Sequence, residues 1–522
     1  MVLLRPWKTI AKLRLTMPPD PRVLLSAAKH LGREWEVCAA PHVDLHCDSR
    51  ILRFAQDDRQ AIGGHDAIRS RRPGASSGTV LIVTMWVVLV LAGLALVFAR
   101  SMRVAAAVSA NQVASLQAEC IAAGALEYVV AKLSEQTQTQ TATSETADLY
   151  EAMPVGEGYF WVLHANLESD QELTYGLTDE AGKINLNTAS EEMLLKLPGM
   201  TAELAASIID WRDTDSDVTA GGAEDEYYLL QPEPYHCKNG PLETVDEILL
   251  IKGASEELLY GEDTNLNGIL DPQENDGDKS EPPDNANGQL DRGFYDYVTV
   301  YSTEANVDSE GNARINISSS SSVSDLQTLL QDTFKEDRAL EIMMASGVSS
   351  NPSFTSILQF YYRSRMTFKE FSQIADKLTT SAETTLPGLV NVNTASKEVL
   401  MCLPGLEEKD VDDLIAYRTS NTSSSGAEPN SIAWVTEVLD QTKAVGIGQY
   451  VTVHSNQYSA DVVALSGNGR AYKRYKAVID TQQSPRVVYW RTLTHFGWPL
   501  DSEIVAALRK GQPLTDVVLG NP

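Results

Sequence analysis

The chain has 522 residues, room for two to four domains. Its formal charge of −29 is uneven: residues 1–78 hold 13 Lys and Arg against 8 Asp and Glu, while the remainder holds 29 against 63. A body that acidic repels phosphate backbones, which argues against nucleic acid as a partner. Of five Cys, only Cys120, Cys237 and Cys402 lie beyond residue 78, too few for a disulfide framework.

Residues 1–70 hold four of the eight His, two Cys (Cys38 and Cys47) and scattered Pro and Arg, with no sustained period. They read as a leader, or as upstream sequence translated from a misplaced start. A small folded N-terminal domain is the alternative. Residues 79–99 then carry no charge and are flanked by Arg71, Arg72, Arg100 and Arg103. Roughly 20 apolar residues at about 1.5 Å each cover a bilayer core of about 30 Å, so one membrane-spanning helix is predicted. An Ala-rich helical pattern (Val104, Val108, Val113, Leu116, Ile121, Leu126, Val130) continues it to about residue 134, where a polar Gln/Thr/Ser linker begins. The whole helix would be on the order of 80 Å long.

Short alternating runs at 159–164 and 173–177 predict antiparallel strands, with a turn at 179–182. A repeat follows. INLNTASEEMLLKLPGM (184–200) matches VNVNTASKEVLMCLPGL (390–406) without a gap, at an offset of 206, and the match runs on through Trp211-Arg212 and Tyr417-Arg418. YVTVYS (297–302) and YVTVHS (450–455) close the two units. A weaker copy begins at Arg314-Ile315-Asn316, with a helix expected at about 323–345 and no Leu-Pro-Gly. In the clear copies Thr188 or Ser190 caps a helix that stops before Leu197-Pro198-Gly199, and Thr201 starts a second. This is a helix-hairpin-helix pattern. DNA-binding versions offer backbone N–H groups to phosphate from a Gly-hydrophobic-Gly turn. Here the second Gly is Thr201 or Glu407, among acidic neighbours, so a module for protein contacts is expected.

Two acidic clusters stand out. The first, Asp210, Asp213, Asp215 and Asp217 with Glu224 and Asp225, is either a set of caps and solvated loop residues or a cation holder. The second is sharper: DTNLNGILDPQE (263–274) places oxygen side chains at loop positions 1, 3, 5, 9 and 12, with Gly at position 6. That is the pattern of the twelve-residue calcium loop, in which Asp263, Asn265, Asn267, Asp271 and Glu274 supply side chains and Ile269 its carbonyl. Pro272 would cut short any exit helix. A second, partial loop follows with Asn285, Asn287 and Asp291; aligned on Gly288, Pro283 falls at position 1 and Phe294 at position 12. Asp276 and Asp278 lie between the two. The ion would be structural, a Ca2+ that pins a long loop with few apolar residues.

Alternation at 457–465, 470–481 and 485–495 predicts a three-stranded antiparallel sheet, and 502–509 a short amphipathic helix. No phosphate loop, His/Cys metal pair or nucleophile elbow occurs, so no enzyme is expected; His164, His236, His454 and His495 stand alone in sequence. An ectodomain hydrolase is the second class, and a His–nucleophile pair in a cleft would favour it. Cys237 and Cys402 read as small buried residues, with one bridge between them left open for an oxidising compartment.

The uncharged helix after a basic-flanked Gly, its Ala-rich continuation and the strands resemble a type IV pilin-like subunit. NLNTAS, DWRD, GGAEDEYY and NVNTAS…LPG look like the type II secretion system protein K family of minor pseudopilins, over roughly 79–500. The resemblance implies an α+β fold: a long pilin-like transmembrane helix (79–134), an antiparallel pseudopilin sheet (150–183 and 456–522), and a large inserted all-α region of helix-hairpin-helix, SAM-like repeats (184–302 and 303–455, the latter with the degenerate copy). It implies removal of residues 1–78 by prepilin peptidase after Gly78 and N-methylation of Thr79. It also implies an inner-membrane location with a periplasmic ectodomain, and assembly with other minor pseudopilins at the pseudopilus tip. A calcium-binding ectodomain of a type IV pilus-like system is the runner-up. Pilin-like subunits generally carry Glu at mature position five; here Val83 stands there. A carboxylate in lipid needs a partner, and a subunit with nothing above it has none, which suits a tip position.

Overall fold

The computed structural model describes residues 77–139, 149–280, 284–425, 431–512 and 514. Residues 1–76, with Cys38, Cys47, Arg71 and Arg72, and Pro283 lie outside the described residues. The chain divides into two units, 1–91 and 92–522. In the first, the described residues belong to the start of helix α1 (Ser77–Thr139), with the Gly78–Thr79 bond in its opening turn. This helix is long and apolar enough to cross a membrane, and none of its apolar window is buried by protein. It runs five residues beyond the expected end at 134, through a Gln/Thr stretch that contains neither Gly nor Pro to stop it.

In the second unit a seven-stranded antiparallel sheet is formed by β1 (Met153–Val155), β2 (Gly158–His164), β3 (Thr174–Tyr175), β4 (Thr178–Asp179), β5 (Gln457–Leu465), β6 (Tyr472–Asp480) and β7 (Arg486–Thr492). The order is β1-β2-β5-β6-β7; β3 pairs with β2 and β4 with β5. The three C-terminal strands arise where alternation predicts them. Their partners come from the segment before the repeats, so residues 180–456 are inserted between β4 and β5. Period-two alternation gives the sheet two apolar faces. Phe160, Val162, Ala460, Val462 and Ala464 pack on Ile121, Ala125, Val129 and Leu133 of α1. Trp161, Leu163, Val463 and Leu465 pack on Leu500, Ile504 and Leu508 at the other face, the last two from the C-terminal helix Ser502–Arg509.

The inserted region has its own continuous core. Each of its three segments is closed by the same two-residue parallel ladder: Ile184–Asn185 with Val298–Thr299, Ile315–Asn316 with Leu378–Thr379, and Val390–Asn391 with Val451–Thr452. The reason lies in matched side chains. Asn185, Asn316 and Asn391 each accept the amide two residues on, which turns the chain into the helical part. Thr299, Thr379 and Thr452 do the same at the exit. The weak copy is thus a full member in its closure. Its expected helix at 323–345 is two helices, Val323–Thr333 and Glu336–Ser346, because Phe334 is extended (φ −122°, ψ 169°).

In the clear copies Ser190 and Ser396, rather than Thr188, cap the short helices α2 (Glu191–Leu194) and α4 (Lys397–Met401). Thr201 caps α3 (Ala202–Arg212). Arg212 and Arg418 then reach back to the carbonyls of Leu186 and Ala189, and of Val392 and Ala395. Cys237 and Cys402 are both free and buried, so the bridge left open by the sequence is not formed. Each thiol points to a carbonyl of its own segment, Asp210 and Glu398.

Candidate functional site: the acidic loop 261–293

The helix Glu256–Tyr260 ends at Gly261, whose φ of +69° favours glycine. There the chain leaves on an excursion that returns at Arg292, where Gly261 and Arg292 form an antiparallel bridge. A Cβ at Gly261 would stand 2.1 Å from the Asp291 carbonyl and 2.4 Å from the Gly293 nitrogen. Gly261→Ala is therefore expected to cost about 2–4 kcal/mol in backbone strain and overpacking, read as a lowered urea midpoint of the full chain.

Inside the excursion the residues of 263–274 converge. The Asp263 carboxylate accepts the amides of Asn267 (3.1 Å) and Gly268 (2.7 Å). Asn265 and Asn267 both donate Nδ2 to Asp271 Oδ2, at 2.6 and 3.3 Å. Glu274 Oε1 accepts from Thr264 and Oε2 from the Asp271 amide, a capping box over the one-turn helix Pro272–Glu274. Asn267 Oδ1 accepts the Ile269 amide, which leaves Ile269 with a carbonyl to offer. Burial, then the charges of Glu274 and Asp296, push the Asp263 carboxyl up to about 7. Burial also raises Glu274.

The donors fit a hard divalent cation. Asn265 Oδ1 is buried with no hydrogen-bond partner, and burial with the charge of Glu274 raises the cost of ionising Asp263. An oxygen-liganded ion would satisfy the first and neutralise the second. Among the described residues no three His, Cys, Asp or Glu already form a ready metal cluster; two Asn and a carbonyl are part of this donor set.

The second loop repeats the first at its centre. Asn285 and Asn287 both donate to Asp291 Oδ2, and Asn287 Oδ1 accepts the Gln289 amide. Ala286 and Gly288 have φ of +52° and +80°, against +54° and +75° at Leu266 and Gly268. Its terminal carboxylate is missing, since Phe294 is fully buried in the core. Glu262 accepts the amides of Asn285 and Asp291. The Asp276 carboxylate is taken up by Ser280.

Sequence reasoning missed what fastens this loop. Arg474 of β6, 0% exposed, grips Asp461 of β5 through Nε and Nη2 and donates to the carbonyls of Asn265 and Leu266. Arg292 donates to the carbonyls of Asn166, Ser169 and Gly268. Asp170 takes the amides of Leu270 and Leu290, by its carbonyl and carboxylate. The sequence signal was an arginine at an inward position of an alternating strand.

A cavity of about 1560 Å³ borders the loop at Leu266 and Asn267 and is lined by His164, Asp179, Lys183, Asp296, Asp376 and His454 among others. His454 and His236 pair with the carboxylates Asp376 and Asp225. His164 Nδ1 lies 3.0 Å from the Thr178 hydroxyl. Burial, then the Lys183 charge, lowers the His164 pKa. Thr178 sits in the ladder with Ser459 rather than on a sharp strand-to-helix turn.

Comparison with known proteins places the first repeat. Residues 176–260 match the family model described as type II secretion system (T2SS), protein K. The type II secretion system protein K of Klebsiella pneumoniae is 29% identical over 110 residues, which cover 17% of this chain and 34% of that protein. The match thus spans about a third of the length of that curated relative. The crystal structure of the GspK-GspI-GspJ complex from the enterotoxigenic Escherichia coli type 2 secretion system matches with a TM-score of 0.34 at 13% identity, over 72% of this chain and 96% of that chain. The likeness drawn from NLNTAS, DWRD and GGAEDEYY therefore stands on the segment that contains them.

Proposed function

We propose that this protein, which resembles type II secretion system protein K through residues 176–260, is a membrane-anchored minor pseudopilin that docks rather than catalyses. The observation that carries the reading is α1: one unbroken helix begins in an apolar span and ends by packing Ile121, Ala125, Val129 and Leu133 against an antiparallel sheet. That is how a membrane rod can carry a folded head. The head lies in the periplasm, prepilin peptidase cuts after Gly78, and Thr79 becomes the methylated terminus. The large helical insertion, built of helix-hairpin-helix units, caps the pseudopilus tip, consistent with Val83 in place of a carboxylate. Calcium, held by Asp263, Asn265, Asn267, Ile269, Asp271 and Glu274, keeps the acidic excursion folded. Asn285, Asn287 and Asp291, with Glu262, are the candidate second position.

The partners proposed are the other minor pseudopilins of the same system. Detergent extraction of the full chain is expected to bring them down in near-equal amounts, and deletion of the gene to block export of proteins across the outer membrane. Cross-links that place the protein in many copies along the shaft would sink the tip reading. Intact export after deletion, with loss of surface pili, would favour a pilus-like system.

A further inference from the structure

The two ends of the seven-stranded sheet meet α1 at different heights. At one end Leu133 of α1 lines the cavity with Leu163, His164 and Leu177. At the other a Cβ at Gly158 would stand 2.4 Å from both Ile121 Cδ1 and the Leu465 carbonyl. Beside it Glu119 accepts the Tyr475 hydroxyl and pairs with Lys473. The turn between β5 and β6 therefore points back along α1 toward Arg103 and Arg100, exposed cations at the end of the apolar span.

Charge is sorted along the same line. Residues 104–456 hold 19 Lys and Arg against 58 Asp and Glu, whereas residues 457–512 hold 8 against 4. Five of these eight cations are engaged: Lys473 with Glu119, Arg474 with Asp461, Arg486 with Asp480, Arg491 with Asp246, and Lys476 over the Tyr295 ring. Arg470, Arg509 and Lys510 are exposed and form no ion pair among the described residues.

The three are gathered at the β5–β6 turn. Asn468 Oδ1 accepts the Arg470 amide, and Arg509 Nε donates to the Gly469 carbonyl. A Cβ at Gly469 would stand 2.9 Å from the Val505 carbonyl and 3.3 Å from Arg509 Cγ, so the helix Ser502–Arg509 ends against the turn. Arg509 and Lys510 also complement the dipole at that helix end, but Arg470 lies on the turn and has no such role. Glu157, whose carbonyl a Cβ at Gly467 would meet at 2.1 Å, leaves the group net positive.

We propose that Arg470, Arg509 and Lys510 form a foot that rests the head on anionic phospholipid headgroups beside its own anchor. The inference rests on the reading of α1 as a membrane span. From Ile121 to Arg103 the helix descends about 27 Å, and the turn covers about 10 Å of that. A helix tilt of about 20° and the length of an arginine side chain bring the charges to about one Debye length, about 8 Å, from the headgroups. An anionic surface attracts Lys and Arg at that range and repels the acidic insertion. The head is thereby held with its insertion turned away from the lipid.

The test uses the full chain in lipid discs, with Cys38, Cys47 and Cys120 replaced by Ser and a fluorescent donor on Asn468→Cys; Cys237 and Cys402 are buried. Energy transfer to a headgroup-labelled lipid is expected to rise about twofold when phosphatidylglycerol replaces part of the phosphatidylcholine, and to fall back in high salt. Arg470→Gln combined with Arg509→Gln and Lys510→Gln is expected to abolish the rise. Equal transfer in both discs overturns the proposal and leaves the cations to an acidic protein neighbour. A rise that the triple variant keeps overturns it too. If the triple variant unfolds, Arg470→Gln alone must lower the rise, and failure to do so is equally fatal. Flotation with pure phosphatidylcholine vesicles tests the anchor separately. A chain that floats but shows no dependence on lipid charge loses the foot and keeps the span; a chain that does not float loses both.

Discussion

Arg474→Met is expected to lower the stability of the folded head by about 3–5 kcal/mol, the range for removing one partner of a buried ion pair. Arg474 is 0% exposed and Asp461 only partly reached by solvent. Methionine fills the space but leaves the Asp461 carboxylate unpaired and takes the donors from the Asn265 and Leu266 carbonyls. It also removes the guanidinium whose charge is coupled to Asp263. Arg474→Lys is not expected to rescue, since one ammonium cannot reproduce a planar fork that serves a carboxylate and two carbonyls together. Arg474→Met combined with Asp461→Leu is expected to recover part of the loss, because no charge is then stranded. Urea unfolding of the full chain in detergent, followed by tryptophan fluorescence, reads all three. A loss below about 1 kcal/mol for Arg474→Met would show that the loop is fastened by Arg292 and Asp170 alone.

What was legible in the chain was what is local. The membrane helix is a composition signal, and the unit closures are carried by Asn and Thr acting two residues away. The convergence of Asp263, Asn265, Asn267, Asp271 and Glu274 takes place within twelve contiguous residues. What was not legible joins distant segments. Arg474 meets Asn265 across 209 positions, and Asp170 meets Leu290 across 120. The degenerate copy was legible at its entry, Arg314-Ile315-Asn316, but not at its exit: it lacks Leu-Pro-Gly, the loudest part of the motif, and the Leu378–Thr379 strand that closes its ladder carries no repeat signature. Glu262 as a partner of the second loop was equally hidden, because the fold brings it to Asn285 from outside the motif. Conversely, the Cys237–Cys402 bridge looked open only because sequence says nothing of direction, and each thiol faces its own segment.

The metal-free head is expected to lose stability as pH rises from about 4 to about 7, opposite to the usual acid lability of carboxylates. Burial, with Glu274 and Asp296 nearby, puts the Asp263 carboxyl at about 7, while an unfolded Asp titrates near 4. Between these values the folded state binds the extra proton, so the stabilisation is complete below about pH 4 and is gone above pH 7. The gap between about 4 and about 7 sets a scale of roughly 4 kcal/mol, and the raised Glu274 acts in the same direction. Calcium reverses the slope, because it binds the ionised carboxylates. Its contribution, about 2.7 kcal/mol at a hundredfold excess over Kd, is expected to be small at pH 5 and full at pH 8. Thermal midpoints of resin-stripped protein across pH 4.5–8, with and without added Ca2+, are expected to diverge with rising pH. Asp263→Asn is expected to flatten the metal-free curve and narrow the gap. Parallel curves would mean that Asp263 neither holds a proton in the folded head nor gives it up to an ion.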